Sequence, residues 1–177
     1  MIASAAFALG HRCDPVAIPH LLEHLHHPDA WVRQGITLGL SGFDEQAAVS
    51  GLIVLSEDLD YDVRNWAVFG LASQCDLDTS ELRQALLRSA NDQEPEIRGE
   101  ALIGLARRKD ERVKELVYKE LSGEFHGDWA VEAAERYPDP AFIPLLEALL
   151  QQIGDKDRAH FGKHINAALA ACQNNTA

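Results

Sequence analysis

The sequence predicts an all-α fold, a right-handed superhelix in which one single helix is followed by about five helix pairs. Apolar residues recur with the roughly 3.6-residue period of a helix rather than with the alternation typical of strands. One phrase recurs along the chain at intervals of 31 and 34 residues. A length of 177 residues leaves room for several such units, and a repeat of this period is typical of helical solenoids.

The repeated phrase defines the units. It occupies residues 29–40, 60–71 and 94–105, and each copy has an acidic residue, then Val or Ile followed by Arg, then Gly-Leu at its end. A degenerate copy covers 126–137, and a partial copy opens the chain. We therefore expect a single repeat domain with a partial unit over 1–14, full units over 15–45, 46–77, 78–110, 111–138 and 139–173, and a polar tail over 174–177.

Each full unit is predicted to contain two helices, and capping signals indicate where they begin. Asp14 and Asp139 are each followed by proline, which is typical of an N-cap and the first helical position. Asp78 and Glu81 have the spacing of a capping box, which predicts the start of another first helix. The second helix of each unit is expected to begin after the acidic residue that opens the repeated phrase.

These features resemble HEAT repeats of the short bacterial type first named from phycobilin lyases. The phrase Asp-x-x-Val-Arg has a mechanical interpretation, because the carboxylate can cap the second helix while the arginine reaches an acidic group in the neighbouring unit. The residues expected to form this structural ladder are Asp29, Arg33, Asp60, Arg64, Glu94 and Arg98. The fourth copy has Ala130 at the arginine position, and the last copy, around 162–169, lacks the phrase, so these two units should stack less regularly.

Charge and composition exclude several classes of protein. Lys and Arg number 16 against 28 Asp and Glu, and the net charge of −12 opposes general binding to nucleic acids or anionic membranes. No apolar run is long enough to cross a bilayer, and the first residues lack the basic region of a signal peptide. The cysteines are sparse and odd in number (Cys13, Cys75 and Cys172), which predicts reduced thiols in a cytoplasmic protein.

The outward side of the second helices is the predicted partner-binding surface. In HEAT-like stacks these helices line the concave wall, and Val32, Ile36 and Leu40 should face the core. The residues expected to face a partner are Trp31, Gln34, Tyr61, Asp62, Asn65, Trp66, Phe69, Glu96, Glu100, Trp129, Glu132 and Glu135. They combine large aromatics with carboxylates, which suits capture of a basic protein. Packing of the apolar members between adjacent second helices is the alternative.

Two histidine pairs have the i, i+4 spacing of metal ligands on a helix. His20 and His24, with Glu23, spell HxxEH, and His160 and His164 repeat the spacing. The first pair lies opposite the apolar stripe of its helix, where no enclosing pocket is expected, so we predict adventitious metal binding at most. We predict no catalytic residues, no resident metal and no cofactor. The alternative is a tetrapyrrole (phycobilin) lyase or isomerase-like subunit, or a general assembly scaffold.

Three stretches carry a closer resemblance: DVRNWAVFGL at 62–71, EIRGEALIGLARRKDERV at 96–113 and WAVEAAERYPDP at 129–140. They are similar to the small enterobacterial HEAT-repeat proteins encoded beside Rhs polymorphic toxins. That resemblance implies a non-enzymatic protein that binds a toxin domain and neutralises it as an immunity protein. It implies no catalytic residues.

The first residues of the chain predict a second kind of contact. The chain opens inside a second helix, so Ile2, Phe7 and Leu9 would lie at an edge that no first helix covers. An apolar edge of this kind tends to associate with another surface. We therefore expect self-association through the N-terminal edge.

Overall fold

The computed structural model describes residues 14–123, 128–154, 158 and 160–175. Within these ranges the chain forms ten α-helices and no strand, so the predicted all-α solenoid class is confirmed. The helices are α1 (Ala17–Leu22), α2 (Ala30–Leu40), α3 (Gln46–Leu55), α4 (Tyr61–Phe69), α5 (Ser80–Ser89), α6 (Pro95–Arg107), α7 (Val113–Leu121), α8 (Asp128–Arg136), α9 (Ile143–Gln152) and α10 (Phe161–Asn174). The predicted leading helix, with Ile2, Phe7, Leu9 and Cys13, lies outside the described residues.

Consecutive helices pack on each other as pairs at four places, α1 with α2, α3 with α4, α7 with α8 and α9 with α10. A π-helical segment, Gly70–Gln74, continues α4, and a 3-10 turn, Pro140–Phe142, precedes α9. By its internal contacts the chain divides between Ala101 and Leu102, within α6, into two compact units. Each unit is described by itself below, and the borders of the individual repeats stay a prediction.

In the unit that ends at Ala101, the helices form two layers. First helices pack in succession, α1 on α3 and α3 on α5, while the second helices α2 and α4 pack on each other. The two layers are joined within each pair, since α1 packs on α2 and α3 packs on α4. Ile36, Leu52 and Leu71 are fully buried in this unit. The second helices therefore place one side in the core and leave the opposite side on the surface.

A glycine permits the close packing of α3. A Cβ atom on Gly51 would lie 2.7 Å from Cδ2 of Leu22 and 2.9 Å from Cδ1 of Leu40. Real Cβ atoms do not approach other atoms so closely, so any side chain at position 51 requires the leucine side chains or α3 itself to shift.

In the unit that begins at Leu102, α7 packs on α8, α8 packs on α10, and α9 packs on α10. The 3-10 turn before α9 buries Phe142 completely and contacts α7 and α10. Asp139 caps this turn by accepting a hydrogen bond from the amide of Ala141 at 2.9 Å, and it pairs with Nζ of Lys114 at 2.7 Å. The same carboxylate thus starts one pair and ties it to the preceding one.

Oδ1 of Asp14 accepts a hydrogen bond from the amide of Val16 at 3.1 Å, and regular helix follows from Ala17. One predicted helix cap differs from the structure. Helix α5 is capped by Thr79, whose hydroxyl accepts from the amide of Leu82 at 3.2 Å. The predicted cap, Asp78, lies one residue earlier and pairs with Arg83 at 2.7 Å. An arginine five residues away offers this carboxylate a charged partner, which leaves the capping position to threonine.

Candidate protein-binding surface

The acidic residue that opens each repeated phrase fixes where the second helix begins. Oδ1 of Asp29 accepts a hydrogen bond from the amide of Trp31 at 3.0 Å, and Oδ1 of Asp60 accepts from the amide of Val63 at 3.2 Å. Each carboxylate therefore caps its helix, and its negative charge also interacts favourably with the positive end of the helix dipole. With the start of the helix fixed, the apolar residues of the phrase turn toward the core.

The arginines of the phrase link consecutive pairs. Arg33 binds Asp58 through two hydrogen bonds, Nε to Oδ2 at 2.6 Å and Nη2 to Oδ1 at 2.7 Å. Arg64 binds Asp92 in the same way, with Nε to Oδ2 at 3.0 Å. Both guanidinium groups also donate to turn carbonyls on their own side, as Arg64 does to Asp58 at 2.9 Å. Arg98 donates to the carbonyls of Asp92 and Gln93 at 3.1 and 3.0 Å.

The acidic partners in this ladder, Asp58 and Asp92, were missing from the predicted set. Each lies two residues before the acidic residue that opens the next phrase, and each also accepts a hydrogen bond from that residue's amide, at 2.9 Å for Asp58 and 3.0 Å for Asp92. The recurring Asp-x-acidic pattern is the sequence signal that could have identified them. In the first phrase His27 takes this position, and its Nδ1 accepts from the amide of Asp29 at 3.1 Å.

Burial and hydrogen bonding have opposite effects on these two carboxylates. Burial by itself would raise the pKa of Asp58, but the hydrogen bonds from Arg33 and from the Asp60 amide outweigh it, so the pKa lies below its ordinary value. The pKa of Asp92 is lowered in the same manner by the Glu94 amide and Arg64, against burial. Both groups are therefore ionised throughout the physiological range and hold their arginines.

The surface side of α2 and α4 carries the exposed aromatics. The exposed fraction is 59% for Trp31 and 37% for both Tyr61 and Trp66. The Trp66 ring meets Phe69 edge to face, with centroids 5.8 Å apart and an interplanar angle of 88°. Phe69 is half-buried and packs against the tryptophan ring, part of which stays exposed to solvent. Gln34 and Asn65 are also half-buried on these helices.

Carboxylates surround the aromatic residues at the start of α4. The pKa of Tyr61 is raised by partial burial and by the nearby negative charges of Glu96, Glu94 and Asp62. Asp62 is exposed and Glu96 is half-buried. Glu100, one helical turn beyond Glu96, accepts a hydrogen bond from the Ser73 hydroxyl at 3.2 Å. Aromatic and acidic groups from α4 and α6 are thus brought into one neighbourhood of this unit.

In the unit that begins at Leu102, the predicted binding residues lie on α8. Trp129 is half-buried, whereas Trp31 and Trp66, which were also expected to face a partner, are exposed. Glu132 is half-buried and pairs with Arg136 at 2.7 Å, four residues on, while Glu135 is exposed. Because Glu132 shares its charge with an arginine, this helix presents less net negative charge than its carboxylates alone suggest.

The histidine pairs and the cysteines are placed as follows. His20 and His24 are exposed on and just after α1, and the rings of His160 and His164 lie 5.1 Å apart. Among the described residues, no group of three or more His, Cys, Asp or Glu side chains is placed to hold a metal ion. Cys75 and Cys172 are both buried. Burial raises the pKa of the Cys172 thiol, which keeps it protonated.

Comparison with known proteins assigns the fold to a family. Residues 2–72 and 49–124 match HEAT repeats, and the chain belongs to the HEAT-repeat family. HEAT repeats generally mediate protein–protein interactions, and the proteins built from them are usually non-catalytic. In the described part of the chain, none of the helices has the length and apolar character that crossing a membrane requires.

Individual relatives are found in Escherichia coli. The chain is 30% identical over 161 residues to the protein YibA of strain K12 and equally to YibA of strain O157:H7, covering 88% of this chain and 57% of each relative. The X-ray structure of E. coli YibA superposes with a TM-score of 0.75 at 29% identity, over 97% of this chain and 61% of that one. The chain therefore spans less than two thirds of the length of the curated relatives it matches.

A second solved structure is similar in fold alone. The crystal structure of an engineered protein superposes with a TM-score of 0.63 at 17% identity, over 97% of this chain and 90% of that one.

Proposed function

We propose that this protein is a non-enzymatic binding module that captures another protein on the outward side of its second helices. The observation that carries the proposal is the set of partly exposed aromatics, Trp31, Tyr61 and Trp66, at the starts and along the outward sides of α2 and α4. Large aromatic side chains with a polar edge are the residues that most often dominate binding energy at protein interfaces. Two layers of packed helices beneath them provide a rigid support.

The chemistry of the surface favours a basic partner. Asp62, Glu94 and Glu96 all act on Tyr61 electrostatically, so several negative charges lie within a short range of the aromatic groups. The whole chain carries a net charge of −12, which would attract a positive partner from a distance. The carboxylates would then speed association, and the buried part of each aromatic would slow dissociation.

The specific function proposed is immunity to a toxin that acts in the cytoplasm. Toxin domains that cut nucleic acids need basic surfaces to neutralise phosphates, so an acidic surface with aromatic anchors is a suitable inhibitor. The resemblance to the HEAT-repeat proteins encoded beside Rhs toxins supports this choice. The buried thiol of Cys172 supports the cytoplasm as the compartment, since reduced cysteines are typical there.

The test is co-expression with a basic toxin domain that cuts nucleic acids, chosen from the genes that neighbour the gene for this protein, and the lack of such a neighbour would count against immunity. The wild-type protein should restore growth to cells that produce the toxin domain, and purified toxin domain should bind it in titration calorimetry. The double variant Trp31→Ala/Trp66→Ala should weaken binding by at least about tenfold and lose protection. The matched control is Tyr118→Ala. It removes an aromatic side chain that is 46% exposed and lies on α7, the first helix of its pair.

Three results would count against parts of this proposal. Equal loss of binding in the control and the double variant would move the interface away from the second helices. Binding without protection would keep the binding module and reject immunity. A partner that binds with no dependence on Trp31 or Trp66 would reject the proposed surface.

A further inference from the structure

The tryptophan on the outward side of α4 is not required by the repeat. Trp66 is the seventh residue of its phrase, and the same position is Gly35 in the preceding phrase and Glu100 in the following one. The phrase therefore forms its helix with glycine or glutamate at this position. Because the Trp66 side chain is 37% exposed and is not part of the buried core, its indole can contact a partner.

The indole is also fixed in position. The rings of Trp66 and Phe69 meet nearly at right angles, with centroids 5.8 Å apart, and Phe69 is half-buried. Val63 and Ala67, on the core side of α4, are completely buried and anchor the helix beneath the ring. A ring that is already held loses little conformational entropy when a ligand covers it. Among aromatic side chains, the face of an indole attracts cations most strongly.

Carboxylates lie around this indole on two helices. Asp62 is exposed one helical turn before Trp66, so the two side chains share one side of α4. Glu96 and Glu100 have the same two phrase positions on α6. The carboxylate of Glu100 accepts a hydrogen bond from the Ser73 hydroxyl at 3.2 Å, which joins α6 to the π-helical segment that continues α4. The stacking of the two phrases therefore places an aromatic ring that attracts cations among carboxylates.

Three carboxylates of this neighbourhood, Asp62, Glu94 and Glu96, take part in no ion pair among the described residues. All three act electrostatically on Tyr61 and, together with partial burial, raise its pKa, so they lie near its ring. Glu94 and Glu96 are also half-buried. A partly buried carboxylate is stabilised when a cation donates hydrogen bonds to it. The charge of this surface is therefore complementary to a positive group supplied by a partner.

We propose that this surface holds one arginine side chain of the basic partner, with its guanidinium group stacked on Trp66 and paired with Asp62 and Glu96. We call these three residues, together with Tyr61, the arginine subsite. A guanidinium group is planar, so it can lie on an aromatic face while its edge donates to carboxylates, whereas the compact ammonium group of lysine combines these contacts poorly. The inference rests on the proposed capture of a basic partner and adds the chemical group that is recognised.

Titration calorimetry with two synthetic peptides tests the arginine subsite. Hexa-arginine and hexa-lysine, both capped at their ends, carry the same charge, so the net charge of −12 attracts them equally. In about 0.15 M NaCl, which screens distant charges, wild type should bind hexa-arginine at least about fivefold more tightly than hexa-lysine. The ratio of the two dissociation constants therefore reports contacts that only the guanidinium group makes.

Two variants and their matched controls locate these contacts. Trp66→Ala should leave the two peptides within about twofold of each other, because the stacking surface is lost. Glu96→Gln should weaken binding of hexa-arginine at least about threefold, because one charged acceptor is lost. The controls are Tyr118→Ala, which removes an exposed aromatic on α7, and Glu45→Gln, which removes an exposed carboxylate before the first helix α3. Both controls should behave like wild type.

Circular dichroism melts establish that each variant is folded. Asp62→Asn changes an exposed side chain, so it tests the subsite even if Trp66→Ala does not fold, and it should weaken hexa-arginine as Glu96→Gln does.

The arginine subsite is overturned if wild type binds both peptides equally, if folded Trp66→Ala keeps the preference for hexa-arginine, or if Glu45→Gln weakens binding as much as Glu96→Gln. These results would leave the proposed capture of a toxin domain standing. A preference for arginine that depends on Trp66, found without any protection from a toxin, would instead support the subsite and reject immunity.

Discussion

Single side chains connect consecutive helix pairs in the unit that ends at Ala101. Arg64 reaches from α4 to Asp92, 28 residues further along the chain, and also holds the turn before its own helix. Its side chain is 19% exposed and that of Asp92 is 15% exposed. A charge-assisted bond in such a site depends on both partners, because either one alone would be left partly buried and unpaired.

Arg64→Ala should lower the free energy of unfolding by about 1–3 kcal/mol, measured by urea denaturation. Arg88→Ala is the matched control, because Arg88 also joins two pairs, to Glu57, but with both side chains more than half exposed. That variant should cost about 0–1 kcal/mol. A variant at Arg64 that unfolds like wild type yet loses partner binding would show that this arginine belongs to the interface and not to the ladder.

The same ladder predicts how stability changes in acid. The pKa of Asp58 is lower in the folded protein than in the unfolded chain, because hydrogen bonds from Arg33 and the Asp60 amide outweigh the effect of burial. Its stabilising contribution is therefore complete above the unfolded value of about 3.9 and is lost as the pH falls through the lower folded value. Asp58→Asn should lower stability at pH 7 and flatten the decline of the unfolding free energy below about pH 4. Parallel curves for wild type and variant would contradict this.

At the scale of helices, the closeness of α3 to the preceding pair depends on the absence of a side chain at Gly51. Helix propensity alone favours alanine over glycine by about 1 kcal/mol. Here the added Cβ would meet Leu22 at 2.7 Å and the fully buried Leu40 at 2.9 Å. Gly51→Ala should therefore destabilise the protein by about 1–3 kcal/mol, because α3 must move or two leucines must leave their packing.

Gly162 in α10 is the matched control for this effect. Its added Cβ would find its nearest neighbours at 3.3 Å (Cγ of Arg158) and 3.4 Å (Cδ1 of Ile153), both on side chains that can adjust. Gly162→Ala should be neutral or stabilise by up to about 1 kcal/mol. In thermal or urea unfolding, Gly51→Ala should therefore lose stability while Gly162→Ala does not, and equal shifts would reject the packing argument.

At the scale of the whole molecule, the net charge of −12 acts on the proposed capture of a basic partner. Capture relies on attraction, so raising NaCl from about 0.05 to about 0.5 M should slow association, measured by stopped-flow fluorescence, by about tenfold or more. An association rate that does not change with salt would contradict capture by the acidic surface.

The helical class, the pairing of helices and the capping roles of Asp29 and Asp60 follow from the sequence, because periodicity and capping are local properties that a repeat displays several times. The sequence predicted that the ladder arginines bind acidic groups of the neighbouring unit, but it did not identify Asp58 and Asp92. These carboxylates are 25 and 28 residues away along the chain, and only the packing of consecutive helix pairs brings them close. Only the tertiary structure decided which apolar residues stay outside. Trp129 and Phe69 are half-buried, and in both cases neighbouring helices rather than helical periodicity set the burial.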